Sequence, residues 1–174
     1  MGSNGPIYIM DATPIIYFAK IGKLNLILRS CKAYITREVY RETVERGEGK
    51  PDAMVVSEAI ERGELNVYDL HDRSLVDALQ KHPEIHMGEA ETLAAAKELN
   101  AVAIVDEAEA RAVSKIYGIS TRTGTLFLLF RLLSLGQING GECEDTLDKL
   151  VESGLYVDPH VLIRARQNIK KGKP

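Results

Sequence analysis

The chain lacks a long hydrophobic run: no stretch reaches the roughly 20 apolar residues that a membrane-spanning helix needs, which excludes a helical membrane span. Cysteine is scarce. Cys31 and Cys143 stand far apart, and neither belongs to a CxxC or Cys/His pattern, so a cysteine-based metal site and a disulfide-dense scaffold are excluded. Two free thiols in a reducing cytoplasm are expected instead. Residues 1–6, MGSNGP, lack the charged and apolar regions of a signal peptide; they are expected to be a flexible end outside the fold. Internal repeats and low-complexity segments are absent, and no Ser, His or Cys constellation suited to nucleophilic catalysis stands out. Positive charge is not in excess either, with 22 Lys and Arg against 25 Asp and Glu, a net charge of −3. That balance argues against a surface that grips nucleic acid everywhere by phosphate neutralisation. The end of the chain departs from it: Arg164, Arg166, Lys170, Lys171 and Lys173 make a basic stretch, read either as a solvated helix end favoured by the macrodipole or as a contact for a partner.

What is present is an alternation of strand and helix patterns over 174 residues, a length that suits one domain with a proper core. The expected domain runs over 7–170, with 171–174 as a basic tail. Strands are expected at 7–10, 33–36, 65–70, 101–105 and 119–121. Helices are expected at 13–21, 24–28, 37–46 (capped by Thr36), 52–62 (capped by Asp52), 74–81, 89–99, 107–117, 124–135, 142–153 and from 159 onward. Alternation of this kind predicts an α/β fold with a parallel sheet. The segment Leu126–Leu133, LFLLFRLL, is apolar nearly all round, the mark of a buried core helix, although a dimer contact would also explain it.

Two strands stop on an acid. The run IYIM ends at Asp11, and the most apolar strand, AVAIV, ends at Asp106. An acid is costly to bury without a partner or a metal. In an open parallel sheet, ligands bind outside the carboxyl ends of the strands, so neighbouring strands would bring these carboxylates together. Their repulsion raises their pKa values unless a cation intervenes, and Mg²⁺ or Mn²⁺ takes such oxygen ligands. Glu42, in the middle of a helix, and Glu89, at the start of another, are further candidates; Glu91 falls on a different face from Glu89. Each acid also has an ordinary reading: Asp11 and Asp106 as helix caps, Glu89 as a dipole-favoured first-turn residue, and Glu42 as a partner of Arg46. His71, His82, His86 and His160 read as exposed loop residues, Arg111 as the partner of Glu107, and Thr123 as the cap of the helix after Gly124.

Four segments, YIMDATPIIYFAKIGKLNLI, ITREVYRETVERG, MGEAETLAAAKEL and AIVDEAEARAVSKIYGISTRTGTLFLL, resemble the ordered motifs of PIN-domain nucleases. The DATP, GEAE and late GT are most similar to a prokaryotic branch related to VapC toxins. The resemblance implies a three-layer α/β/α sandwich with a central, mostly parallel sheet. It also implies a metal-dependent endoribonuclease that uses Mg²⁺ or Mn²⁺ to hydrolyse phosphodiester bonds, with Asp11, Glu42, Glu89 and Asp106 as its acids. Thr13 follows the first acid as its hydroxyl neighbour, and Glu107 stands beside the fourth. Two departures matter: Glu89 stands where many VapC-type chains carry Asp, and VDEAE replaces their Thr-x-Asp, which leaves Asp106 and Glu107 as alternatives. A cytoplasmic toxin, an RNA substrate, an antitoxin partner and a homodimer follow from the same resemblance. A haloacid-dehalogenase-type phosphatase would need an Asp at Thr13, and a receiver domain would need an early acidic pair, with Asp69 as its phosphorylated residue. A PIN-like protein- or RNA-binding module without catalysis is the remaining alternative.

Overall fold

A computed structural model describes residues 5–171. Its strands are β1 (Ile7–Met10), β2 (Lys32–Thr36), β3 (Leu65–Tyr68), β4 (Val102–Val105) and β5 (Thr121–Thr123), in the order β3-β2-β1-β4-β5. Every pairing is parallel. Strand β1 is the middle of the sheet and is covered on both faces. Tyr8 and Met10 enter one core and Ile9 the other, which is why its sequence is an unbroken apolar run rather than an alternating one.

Over the first core lie α1 (Ala12–Lys20), α2 (Leu24–Arg29), α4 (Pro51–Glu61), α8 (Gly124–Ser134), α9 (Gly140–Glu152) and α10 (Pro159–Lys170). Over the second lie α5 (Ser74–Leu79), α6 (Met87–Glu98) and α7 (Ala108–Ile116), and α3 (Arg37–Tyr40) leaves the end of β2. The result is the three-layer α/β/α sandwich with a parallel sheet. Helix α8 is a core helix: Leu126, Leu128, Leu129 and Leu132 are buried, and Phe127 meets Tyr8 edge-on at 5.8 Å between ring centres. Helix α6 lies across β1, β2 and β4 because Ala90, Ala94, Ala95 and Ala96 give it a small-residue surface that allows close approach.

Several boundaries differ from the sequence expectation, each for a local reason. Strand β3 stops at Tyr68 because Asp69 turns outward to receive Arg37 at 3.0 and 2.9 Å. Ile119 stays out of β5 because its N–H closes the end of α7 on Ser114 O at 2.9 Å. Asp52 does not cap α4; Lys50 holds that position, and Pro51 begins the helix. The expected helix over 37–46 changes type at Arg41, where a π-helical turn covers Arg41–Glu45. Arg46 N–H there reaches Arg41 O at 2.8 Å, and the Thr43 hydroxyl donates to Val39 O at 2.8 Å. At the chain's start, residues 1–4 lie outside the described residues, whereas Pro6 O accepts Lys32 N–H at 3.0 Å, so the expected flexible end is tied to β2 at Pro6. Of the expected basic tail, Lys171 forms a turn, and residues 172–174 lie outside the described residues.

Candidate active site

Strands β1 and β4 are neighbours, so Asp11 and Asp106 leave adjacent strands at the same edge of the sheet. The chain runs from β1 to one side and returns through β4 on the other, which makes this edge a topological switch point, the crevice where open α/β sheets bind ligands. Neither acid is the helix cap that its position suggests. Asp11 stands at the N-cap of α1, but its side chain makes no capping hydrogen bond. Glu107, not Asp106, holds the N-cap of α7. The Asp106 carboxylate turns instead to the start of α8, where Thr125 N–H donates to its two oxygens at 3.0 and 3.1 Å and the Thr125 hydroxyl donates at 2.7 Å. Thr123 stands at the N-cap of α8 without a side-chain capping bond. The start of α8 thus takes a carboxylate of the chain itself rather than the expected Thr123 cap.

Two glycines make room for acids. A Cβ on Gly124 would run into the Asp106 carboxylate. A Cβ on Gly88 would stand 3.1 and 3.2 Å from the two Glu42 oxygens. The GEAE and GT segments therefore do more than break or start helices: each leaves out the atom that would block a carboxylate.

Asp11, Glu42 and Glu89 line one cavity of about 590 Å³, with Thr13, Glu84, His86, Glu107 and Glu109 around it. Asp106 stands just behind, in the wall of a neighbouring hollow that shares Thr13, Glu107 and Glu109. The carboxylates feel one another. Burial pushes Asp11 up to about 7; the Ala12 N–H opposes this, and Glu89, Glu42 and Asp106 add to it. Glu42 is raised by burial and by Glu38, against the pull of Arg46. Glu89 is raised by burial, partly offset by the His86 N–H and ring, with Glu107 and Glu109 adding repulsion. Asp106 is raised by burial despite its bonds from Thr125.

This donor set fits a hard divalent cation. Every acid offers oxygen, and Glu89 is only 4% exposed. Its Oε2 accepts the His86 N–H at 2.9 Å, while its buried Oε1 has no hydrogen-bond partner. The acids stand around the walls, and among the described residues no three Asp, Glu, His or Cys side chains form a ready-made cage. Mg²⁺ suits such a wall, because it binds through one or two carboxylates and keeps several waters. Glu84 and Glu109 were missed in the sequence because nothing marks a loop or first-turn acid as facing a cavity. His86, read as a plain loop residue, is exposed but borders the same space.

The frame behind the cavity is ionic. Glu38 is buried; burial works to raise its pKa, but Arg41 at 3.0 Å and Arg46 at 2.7 Å hold it below the usual range. Arg46 also approaches Glu42 at 3.7 Å, so the expected pair forms as a long contact within this network. Glu91 is 3% exposed and accepts Glu38 N–H and Arg73 Nη1, each at 2.9 Å. Glu91→Ala leaves the buried Glu38 N–H without its acceptor and returns the half-exposed Arg73 to water, and is expected to cost about 1–3 kcal/mol, read as a lower urea midpoint with an unchanged slope; a loss below about 0.5 kcal/mol would contradict this role. Arg111 does not pair with Glu107 but donates to the carbonyls of Val105 and Asp106. Asp69, the residue a receiver domain would phosphorylate, is held by Arg37, and Thr13 borders the cavity where the phosphatase reading needs an acid.

No curated protein and no solved structure matches the chain. The family model DUF3368, PIN domain, matches residues 7–171, a span that includes the whole sheet and every acid of the cavity. With that match and this fold, the chain belongs to the PIN-domain family, whose members are generally nucleases.

Proposed function

We propose that this cleft hydrolyses phosphodiester bonds of RNA with Mg²⁺ or Mn²⁺ as its cofactor. The observation that carries the reading is the gathering of Asp11, Glu42 and Glu89 on one cavity at the sheet's switch point, with Glu89 Oε1 buried and without a donor. Asp11 and Asp106 would be the principal holders of the cation, and Glu42 and Glu89 would complete its shell through waters or a second ion. Glu107 is the further acid at the rim. When bound, the cation supplies neutralisation of charge on the phosphoryl oxygens and acidifies the attacking water. Thr125 keeps Asp106 aimed, and its two donors favour the ionised carboxylate against the effect of burial. The His86 N–H fixes one oxygen of Glu89 and leaves Oε1 without a donor. The Thr13 hydroxyl, beside Asp11 in the cavity wall, donates to the substrate phosphate.

The VapC resemblance extends the proposal to a toxin held by an antitoxin and to a homodimer; an antitoxin would close the cleft by setting a basic side chain among its acids. No described helix is long and apolar enough to cross a membrane. The test is hydrolysis of end-labelled single-stranded RNA in Mg²⁺ or Mn²⁺ by wild type and Glu89→Gln. Cleavage by wild type that EDTA stops, reduced roughly 10²–10⁴-fold in the variant, is expected. RNA bound equally by both proteins and cut by neither overturns the reading in favour of a binding module.

A further inference from the structure

The hollow beside the acidic cavity has a volume of about 510 Å³ and shares Thr13, Glu107 and Glu109 with it. Its far wall is the turn between α9 and α10, and that turn is held firmly. Tyr17 Oη, on α1, donates to Gly154 O at 2.9 Å. Gly154 has φ +104°, a conformation that glycine takes without strain. Leu155 is buried, and Asp158 caps α10 by accepting His160 N–H at 2.9 Å and Val161 N–H at 3.3 Å. Between these anchors, Tyr156 stands with 84% of its surface exposed while lining the hollow. Leu126 and Val161 add apolar surface there, and the Arg111 guanidinium, whose Nη1 donates to the Val105 and Asp106 carbonyls, supplies a cation among the carboxylates of Asp106, Glu107, Glu109 and Asp158.

An aromatic ring on a rigid turn, an apolar floor and a cation, all bordering a cleft built for a phosphodiester, match the parts of one nucleotide. We propose that this hollow takes an unpaired nucleotide of the substrate strand, its base stacked on Tyr156 and its phosphate directed to Arg111. The inference rests on the nuclease reading of the adjacent cavity. Bases in a duplex have their faces covered, so a stacking ring selects single-stranded or looped RNA. The volume lies within the range of pockets that take small ligands, about 300–1,000 Å³.

The experiment uses the full chain as wild type, Tyr156→Phe and Tyr156→Ala. Each is titrated in EDTA with a single-stranded RNA oligonucleotide carrying 2-aminopurine, and the KM and kcat for single-stranded and duplex RNA are measured in Mn²⁺. Fluorescence quenching by wild type and Tyr156→Phe, lost in Tyr156→Ala, is expected. The KM of Tyr156→Ala for the single strand rises about tenfold with kcat little changed. Cleavage by wild type with Tyr156→Ala at the same KM and the same quenching overturns this inference and leaves the nuclease reading standing. A wild-type protein that neither binds nor cuts any strand removes both. A dimer that Tyr156→Ala breaks into monomers, with KM unmoved, assigns the ring to contact between copies and also overturns the inference.

Discussion

Asp11→Asn is expected to melt higher than wild type at pH 8 in EDTA and to hydrolyse nothing. Asp11 is 7% exposed, makes no capping bond, and is pushed up to about 7 by burial and by its acidic neighbours. A carboxyl whose folded pKa lies above its unfolded value binds its proton more tightly in the native state. The stability of the metal-free protein therefore falls as pH rises from about 4 to about 7, and stays reduced above that. Every tenfold gain in proton affinity on folding corresponds to about 1.4 kcal/mol, so removing the charge recovers roughly 2–4 kcal/mol at pH 8. For a chain of this size, that raises Tm by roughly 5–10 °C. The same tight hold on the proton makes cation uptake release it near pH 7, so affinity and hydrolysis rise with pH through that range. Mn²⁺ should raise the Tm of wild type and leave that of Asp11→Asn unmoved. Differential scanning calorimetry at several pH values reads all of this. A variant that melts with wild type at every pH would mean that the Asp11 charge costs the folded chain nothing, and would contradict this account.

Gly124→Ala should produce the opposite dissociation, with a near-native fold and a damaged site. The new methyl takes the space that the Asp106 carboxylate occupies. The carboxylate must swing away and give up the Thr125 N–H and hydroxyl that now aim it. Changing groups that orient a ligand residue typically costs 10–100-fold in metal affinity or activity, so hydrolysis and Mn²⁺ affinity should each fall by about that factor. Thr125→Val, which removes the hydroxyl and keeps the N–H, should fall between wild type and Gly124→Ala. The far-ultraviolet circular dichroism of both should overlay that of wild type. Full activity in Gly124→Ala would mean that Glu107 rather than Asp106 serves as the fourth acid.

The sheet was legible wherever a strand is buried on both faces. IYIM and AVAIV announce β1 and β4 because continuous apolar character has few other uses, and the acids that follow mark where each strand leaves the core. Strand β5 was less legible because Thr121–Thr123 is short and edge-exposed, so the apolar Ile119 drew the expected strand two residues early; its place is at the end of α7. The π turn over Arg41–Glu45 left no mark in a sequence whose spacing reads as ordinary helix. The acids of the site could be named by position and resemblance, but their settings could not. Nothing in VDEAE says that Asp106 turns to Thr125, because that contact joins residues 19 apart in sequence. Nothing in VYRETVE says that Glu42 rests on Gly88. The glycines were visible as punctuation, and their second use, as room for a carboxylate, needed the approach of the π turn to the start of α6 and of the end of β4 to α8.

Whether Asp11 holds a cation decides between the nuclease and the binding module. Titration of Mn²⁺ by calorimetry into wild type and Asp11→Asn at neutral pH separates the two. Micromolar-to-millimolar binding by wild type, with release of protons, and no binding by the variant is the expected result. Absence of binding in the wild type, or equal binding in both proteins, would remove Asp11 from any cation site.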